Sequence, residues 1–298
     1  MKITTMEKAI SASIQDGDSI HLAGFVHQSP FAAGHEIIRQ EKSDLTLSRL
    51  SPDLIYDQLI AAGCPTKLIF SFASGEVRRM LQDESSNIPQ LEYEEYTHYG
   101  LAARLAAGAR DLPFNPVNTF VGSDLPEYND NLRIVESPFD GEEIYAVPPL
   151  NPDVTVVHGA RADTQGNAQG WGIIGETRDA VFAADTVVLS VEEIVDDQVI
   201  RGDPNRTVFP GSAVDYLVEE PFGAHPSYVQ GYYDRDRSLY QEWNEIAETR
   251  EGIEEWLDEW VYGVKDRVEY LEKLGVSRIL GLDSETNYTT TVDMGGYQ

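Results

Sequence analysis

Short apolar runs alternate with amphipathic stretches along the first 220 or so positions. Thr4-x-x-Glu7 is a capping-box pattern and predicts a helix to about Gln15. Asp16-Gly17-Asp18 reads as a turn, Ser19 to Leu22 as a strand, and Ala23-Gly24-Phe25 as a small-residue stop at its end. Pro30 to Glu41 predicts a helix with Phe31, His35, Ile37 and Ile38 near one face. Leu45 to Leu50, Lys67 to Phe72 and Leu91 to Tyr96 read as strands. Pro52 to Ala62 reads as a helix ending at Gly63, Ser74-Gly75 leads into a helix through Leu81, and Tyr99 to Ala109 is an Ala-rich helix. Val154 to His158, Thr186 to Val191 and Ala213 to Val218 are apolar runs of the kind buried inside a parallel sheet. A helix around Thr177 to Ala183 separates the first two. Strand and helix in alternation predict an α/β fold: an open, mostly parallel sheet flanked by helices.

The pattern changes at Leu239. Trp243, Ile246, Ile253, Trp256, Leu257, Trp260, Val261, Val264, Val268 and Leu271 form helical stripes; Gly252 is expected to interrupt them and Gly275 to cap them. The expected organisation is an α/β domain over 1–238 and a helical C-terminal extension over 239–298 packed on it. The aromatic face of that extension suits either a partner interface or docking on its own sheet.

Composition narrows the function. The chain has 298 residues, 41% of them hydrophobic, enough for a sizeable core. No apolar run is long enough to predict a transmembrane helix, and the N-terminus lacks a signal peptide's apolar stretch. A single cysteine, Cys64, excludes an internal disulfide and fits a reducing cytoplasm. The net charge of −29, with six Lys against sixteen Arg, predicts a halophilic-type acidic surface in a high-salt cytoplasm. It also argues against a nucleic-acid partner, since phosphate binding needs a basic face.

The sequence holds no GxxxxGK[ST], GxSxG or HExxH, and no GxGxxG is expected after a strand. His21 and His27 are spaced poorly for a metal, and none is expected. Four loops carry the candidate chemistry: Ala23-Gly24-Phe25-Val26, Ser71-Phe72-Ala73-Ser74-Gly75, Glu94 to Gly100 around His98, and Val121-Gly122-Ser123-Asp124-Leu125. Read as strand-end loops of one parallel sheet, they would gather on one edge. There they would offer backbone N–H groups, hydroxyls and one imidazole, an inventory suited to oxyanion and carboxylate binding. The same residues also serve as ordinary turns and caps.

These fragments resemble the α-type subunit of family I CoA-transferases, on the glutaconate CoA-transferase side. The resemblance rests on Asp16-Gly17-Asp18 through Ala23-Gly24-Phe25, Val147-Pro148, Asp153-Val154, His158, Ala162-Asp163-x-x-Gly166-Asn167 and Glu192-Glu193-Ile194. Pro210-Gly211-x-x-Val214-Asp215 and Pro221-x-Gly223-Ala224-His225-Pro226-Ser227 extend it. It implies a glutamate nucleophile carried by a β-type partner rather than by this chain. The substrates would be an acyl-CoA thioester and a free carboxylic acid, with no permanently bound cofactor. It places Ala23, Gly24 and Phe25 on the oxyanion side, and Ser74, Gly122 and Ser123 in substrate-pocket loops. His98 falls where ketoacid-type relatives have a substrate-contacting Gln. Related ring-opening CoA hydrolases share the same pair of chains, so His98 or Glu95 as a base is a second reading. A non-catalytic metabolite-binding module is a third.

Overall fold

The structure is a computed structural model and describes residues 1–73, Val77 and 91–282. The predicted helix through Leu81, with Ser74 and Gly75, and the segment from Thr286 lie outside the described residues.

Along the chain come β1 (Lys2–Ile3), α1 (Met6–Ser13), β2 (Ser19–Leu22), α2 (Phe31–Arg39), β3 (Leu45–Arg49), α3 (Leu54–Ala61), β4 (Pro65–Phe70), β5 (Glu92–Glu95) and α4 (His98–Gly108). Next are β6 (Asn115–Val117), α5 (Leu125–Tyr128), β7 (Arg133–Glu136) and β8 (Glu143–Val147). The second half runs β9 (Val154–Asp163), β10 (Ala168–Gln169), α6 (Thr177–Ala183), β11 (Thr186–Val195), α7 (Asp197–Gly202), β12 (Thr207–Phe209) and β13 (Tyr216–Glu219). The main sheet has the order β1-β13-β11-β9-β2-β3-β4-β5, and every pairing along it is parallel. β10 joins antiparallel to β9 and β12. Succession runs outward from β2 on one side and outward from β9 on the other. The order therefore reverses between β2 and β9, and in such sheets ligands sit outside the strand C-termini at that reversal.

Three local expectations shift. The helix α1 is capped by Thr5, whose Oγ1 accepts from Lys8 N at 3.5 Å, one residue later than the Thr4 pattern suggested. β9 and β11 each run ten residues, because their pairing continues through Arg161 and Glu193, where the apolar run has ended. The run Ala213 to Val218 is split: Gly211–Ala213 is a 3₁₀ turn and the strand begins at Tyr216.

The C-terminal stripes form α8 (Arg237–Ile246), α9 (Arg250–Leu257), a π-helical turn (Asp258–Tyr262), α10 (Arg267–Leu274) and α11 (Val276–Gly281). Gly252 does not break them; it lies inside α9, with its N–H on the Thr249 cap. Gly275 does cap α10, at φ +89°. The aromatic face docks on the chain's own helices. Trp243, Ile253, Trp256, Leu257 and Val261 share one core with residues of α1, α2 and α3. Trp243 Nε1 donates to Asp57 Oδ2 at 2.8 Å, so the indole is buried without stranding its N–H. Burying a ring of that size, roughly 200 Å², stabilises by about 5 kcal/mol at 25 cal/mol per Å².

Candidate active-site crevice

The residues after β2 build the most constrained backbone near the β2–β9 reversal. Ala23 N–H donates to Val156 O at 2.9 Å, which laces the loop to β9. Gly24 then takes φ +99°. A Cβ there would lie 2.6 Å from His27 O and 2.8 Å from Gln28 O, because the chain folds back on it. Val26 (φ +51°) and Gln28 (φ +55°) are also left-handed, so every second residue from 24 to 28 has positive φ. For a β-branched valine this costs on the order of 1–3 kcal/mol and persists only where its surroundings impose it.

Those surroundings come from the segment after β13. Ser227 Oγ and Arg235 Nη2 both donate to Val26 O, each at 3.2 Å. The His27 ring is held between Ile173 O and Gln230 N, both at 3.1 Å, and Gln28 N–H donates to Tyr228 O at 2.9 Å. The amides of Gly24, Phe25 and Val26 have no hydrogen-bond partner among the described residues. Alternating backbone handedness with free consecutive N–H groups is the pattern of an anion-binding nest.

His98 faces this loop. It is the first residue of α4 and is exposed; the Thr97 cap beneath it accepts from Gly100 N at 3.0 Å and from Thr119 Oγ1 at 3.0 Å. Its ring meets Phe25 edge-on at 5.6 Å and Phe72 at 6.5 Å. Three loops of the sequence expectation therefore do converge, those bearing Phe25, Phe72 and His98. Glu94, next to β5's end, is engaged elsewhere: Lys67 and Arg104 pair with it at 2.5 and 3.2 Å. Burial works against its ionised form, but the Lys67 and Tyr96 hydrogen bonds and the Arg104 charge hold its carboxyl below the usual range. At Glu95, the backbone carbonyl accepts from Asn129 Nδ2 at 2.9 Å.

The fourth loop departs from expectation. Gly122 (φ +79°) and Ser123 follow β6, which belongs to a separate antiparallel sheet of order β6-β8-β7, not to the parallel one. Ser123 Oγ accepts from Leu125 N at 3.1 Å, an ordinary turn role. The loop reaches the site through Phe120, whose ring packs against Gly100.

The sequence expectation missed the other wall. Gly170-Trp171-Gly172-Ile173-Ile174-Gly175 has GxGxxG spacing. It is not a dinucleotide fingerprint, because the two-residue β10 before it is antiparallel to β9. Its glycines allow close approach instead: a Cβ on Gly175 would lie 3.0 Å from Phe25 Cβ, and one on Gly170 3.4 Å from Gln28 Nε2. At the end of this loop the buried Glu176 meets His21 Nε2 at 3.4 Å, and His21 Nδ1 lies 3.0 Å from Ser48 Oγ. Gln28 Nε2, Trp171 Nε1, Glu176 Oε2 and Arg235 Nε are buried without a hydrogen-bond partner among the described residues. Native interiors rarely leave such atoms unmatched, so their concentration beside one loop marks this crevice.

Buried titratable groups set an expected pH dependence. Burial pushes His27 down to about 4, and His225 to about 4 against the Asp236 hydrogen bond; His35 also falls well below its ordinary value. Burial raises Glu220 to about 7, although Arg267 pulls the other way. Between pH 5 and 6 the unfolded chain carries three histidine protons that the native state lacks. The native state keeps one on Glu220 that the unfolded chain has lost. The unfolded chain thus binds about two more protons, and stability rises with pH by at most about 2.7 kcal/mol per unit. The histidine share is fully present above about pH 6.5 and is lost on acidification towards 4. Urea midpoints at pH 5, 6 and 7 should climb accordingly, and His35→Gln should flatten the slope; an unchanged midpoint over that range contradicts the assignment.

Comparison with known proteins places this geometry. Residues 3–220 match the coenzyme A transferase family. The A-type subunit of the 3-oxoadipate CoA-transferase of Pseudomonas knackmussii is 43% identical, over 92% of this chain and 98% of that protein. The A-type subunit of the glutaconate CoA-transferase of Acidaminococcus fermentans is 31% identical over 98% of both. The crystal structure of glutaconate coenzyme A-transferase from that organism superposes with a TM-score of 0.89, covering 99% of each chain. The cholesterol ring-cleaving hydrolase IpdA subunit of Mycobacterium tuberculosis is more distant, 28% identical over 93% of this chain and 99% of that one. The chain belongs to the coenzyme A transferase family and aligns along its length with the A-type subunits of that family.

Proposed function

We propose that the chain works as the A-type subunit of a heteromeric enzyme that moves CoA between an acyl-CoA and a free carboxylic acid, with a B-type partner supplying the nucleophilic glutamate. The nest at Gly24–Val26 carries this reading. When a carboxylate attacks a thioester carbonyl, the carbonyl π electrons move onto oxygen. The C–S bond then breaks, CoA leaves as thiolate, and an acyl-glutamyl anhydride remains. Free backbone N–H groups aimed at that oxygen stabilise the charge as it forms. Ala23 anchors the loop, Gly24 permits its fold-back, and Phe25 with His98 and Phe72 borders the acyl group. Gly122 and Ser123 are assigned to the outer pocket. The two transferases named above carry dicarboxylic substrates in their names, and we assign this chain the same acyl class. No cofactor is held between turnovers, and the setting is cytoplasmic.

The isolated chain should show no thioester exchange. Adding the B-type partner should restore exchange between 3-oxoadipate or glutaconate and an acyl-CoA, and full activity of the chain alone would refute the proposal. A second reading rests on the exposed His98 ring beside Phe25 and on the hydrolase relative: His98, or Glu95 nearby, acts as a base towards water. His98→Gln separates the two. A transferase should keep its rate within about tenfold, whereas loss of a general base costs on the order of 10²–10⁴.

A further inference from the structure

We propose that Glu176 is a positioning residue for the transfer reaction, which acts through His21 to hold the glycine-rich wall 170–175 against the nest. This inference rests on the CoA-transfer reading above and adds the residue that sets the wall. Two Ser–His–Glu chains flank the β2–β9 reversal, one on each side. His21 on β2 is in register with Ser48 on β3, and His158 on β9 with Ser190 on β11. Each histidine Nδ1 meets its serine Oγ, at 3.0 and 2.9 Å. Each serine donates to the carbonyl just before its histidine, Ile20 O and Val157 O, both at 3.3 Å. Each histidine Nε2 then meets a glutamate Oε1, that of Glu176 at 3.4 Å and that of Glu192 at 2.6 Å.

The two chains end on the two segments that touch the nest. Glu192 accepts further bonds from Tyr233 OH and Phe222 N, and so anchors the segment leading to Ser227 and Arg235, which hold Val26 O. Glu176 ends the other segment. Just before it, Gly175 fits against Phe25, with room for no more than a hydrogen: a Cβ would lie 3.0 Å from Phe25 Cβ. Two features set Glu176 apart from Glu192. Its Oε2 is buried without a partner among the described residues. It also stands at the N-cap position of α6, where a carboxyl can accept a backbone N–H, yet it makes no capping bond and is buried. A buried carboxyl that forgoes both bonds contributes little to stability. Its contact with His21 instead fixes Gly175, and with it Phe25, relative to the strand that carries the nest.

The test is kcat and KM for thioester exchange by the full chain assembled with its B-type partner. Glu176→Ala should lower kcat on the order of 10²-fold, the cost of displacing a positioning wall by about 1 Å. KM for the acyl-CoA should stay within about threefold, and the melting temperature should match the parent's. Glu176→Gln keeps an oxygen within reach of His21 and should restore kcat to within about fivefold of the parent. His21→Asn keeps a nitrogen for Ser48 but removes Nε2, and should lose as much kcat as Glu176→Ala. The double variant should fall no further than either single, because the two residues act as one unit. The proposal is overturned by a Glu176→Ala enzyme with kcat within about threefold of the parent, or by one that no longer folds. It is equally overturned if Glu176→Gln rescues nothing, or if the losses multiply in the double variant. An assembled parent enzyme without thioester exchange refutes the CoA-transfer reading itself.

Discussion

Gly24→Ala should remove at least 99% of the thioester-exchange rate of the assembled enzyme while leaving a folded chain. The methyl group would lie 2.6 Å from His27 O and 2.8 Å from Gln28 O, both backbone atoms that cannot rotate away. Gly24 also has φ +99°, outside the ordinary range of alanine. The loop can relieve the clash only by opening, and opening rotates the amides of Phe25 and Val26 off the substrate oxygen. Loss of one well-aimed oxyanion donor costs on the order of 10²–10³ in rate. The stability cost is smaller, on the order of 1–3 kcal/mol, since strain is confined to one loop. Val26→Gly is the informative companion. It removes left-handed strain at φ +51° without a new clash and should keep both the fold and most of the rate. Parallel measurement of kcat and melting temperature for both variants tests the nest. Gly24→Ala with kcat within tenfold of the parent would show that the oxyanion lies elsewhere.

How much of this was legible in the sequence depends on the range of each interaction. The parallel strands were, because a strand buried on both faces is an apolar run whatever its neighbours are. Ala23-Gly24-Phe25 was legible as a strand-end stop, because glycine announces backbone that other residues avoid. The left-handed Val26 and Gln28 were not. Their conformation is imposed by Ser227, Arg235 and Tyr228, some 200 residues away, and nothing local signals a β-branched residue with positive φ. The sheet β6-β8-β7 escaped notice because β6 is three residues with a central proline and most of β7 is exposed, so neither shows a core-facing run. The GxGxxG spacing at Gly170 did stand in the sequence. It had no fold-level meaning until β10 was seen to be antiparallel and the loop to close over Phe25. Of the aromatic C-terminal stripe, only the helical period could be read; that it meets α2 and α3 rather than a partner depends on Asp57 waiting for Trp243.

The largest loss of stability from one substitution is expected on the other flank of the β2–β9 reversal, at Glu192→Leu. Glu192 Oε1 accepts from Tyr233 OH at 2.8 Å and lies 2.6 Å from His158 Nε2, and Oε2 accepts from Phe222 N at 2.7 Å. His158 in turn reaches Ser190 Oγ at 2.9 Å from the paired position on β11. All of these side chains are buried, so water cannot replace a lost partner. Leucine fills most of the volume but leaves an imidazole nitrogen, a phenol and a peptide N–H unmatched. Leaving three buried polar groups unmatched at once costs on the order of 3–5 kcal/mol, against a total stability of about 5–15 kcal/mol for a typical domain. The Phe222 N–H bond also fixes the turn after β13, from which the chain continues to Ser227 and Arg235. Glu192→Leu should therefore loosen the clamp on Val26 and lower kcat in whatever fraction remains folded. A double-mutant cycle with His158→Leu separates the contributions. If the network is one unit, the double variant should be no less stable than Glu192→Leu alone, because removing the imidazole removes one of the unmatched groups. Additive losses in urea unfolding would instead mean that His158 and Glu192 act independently, and that the clamp does not depend on their contact.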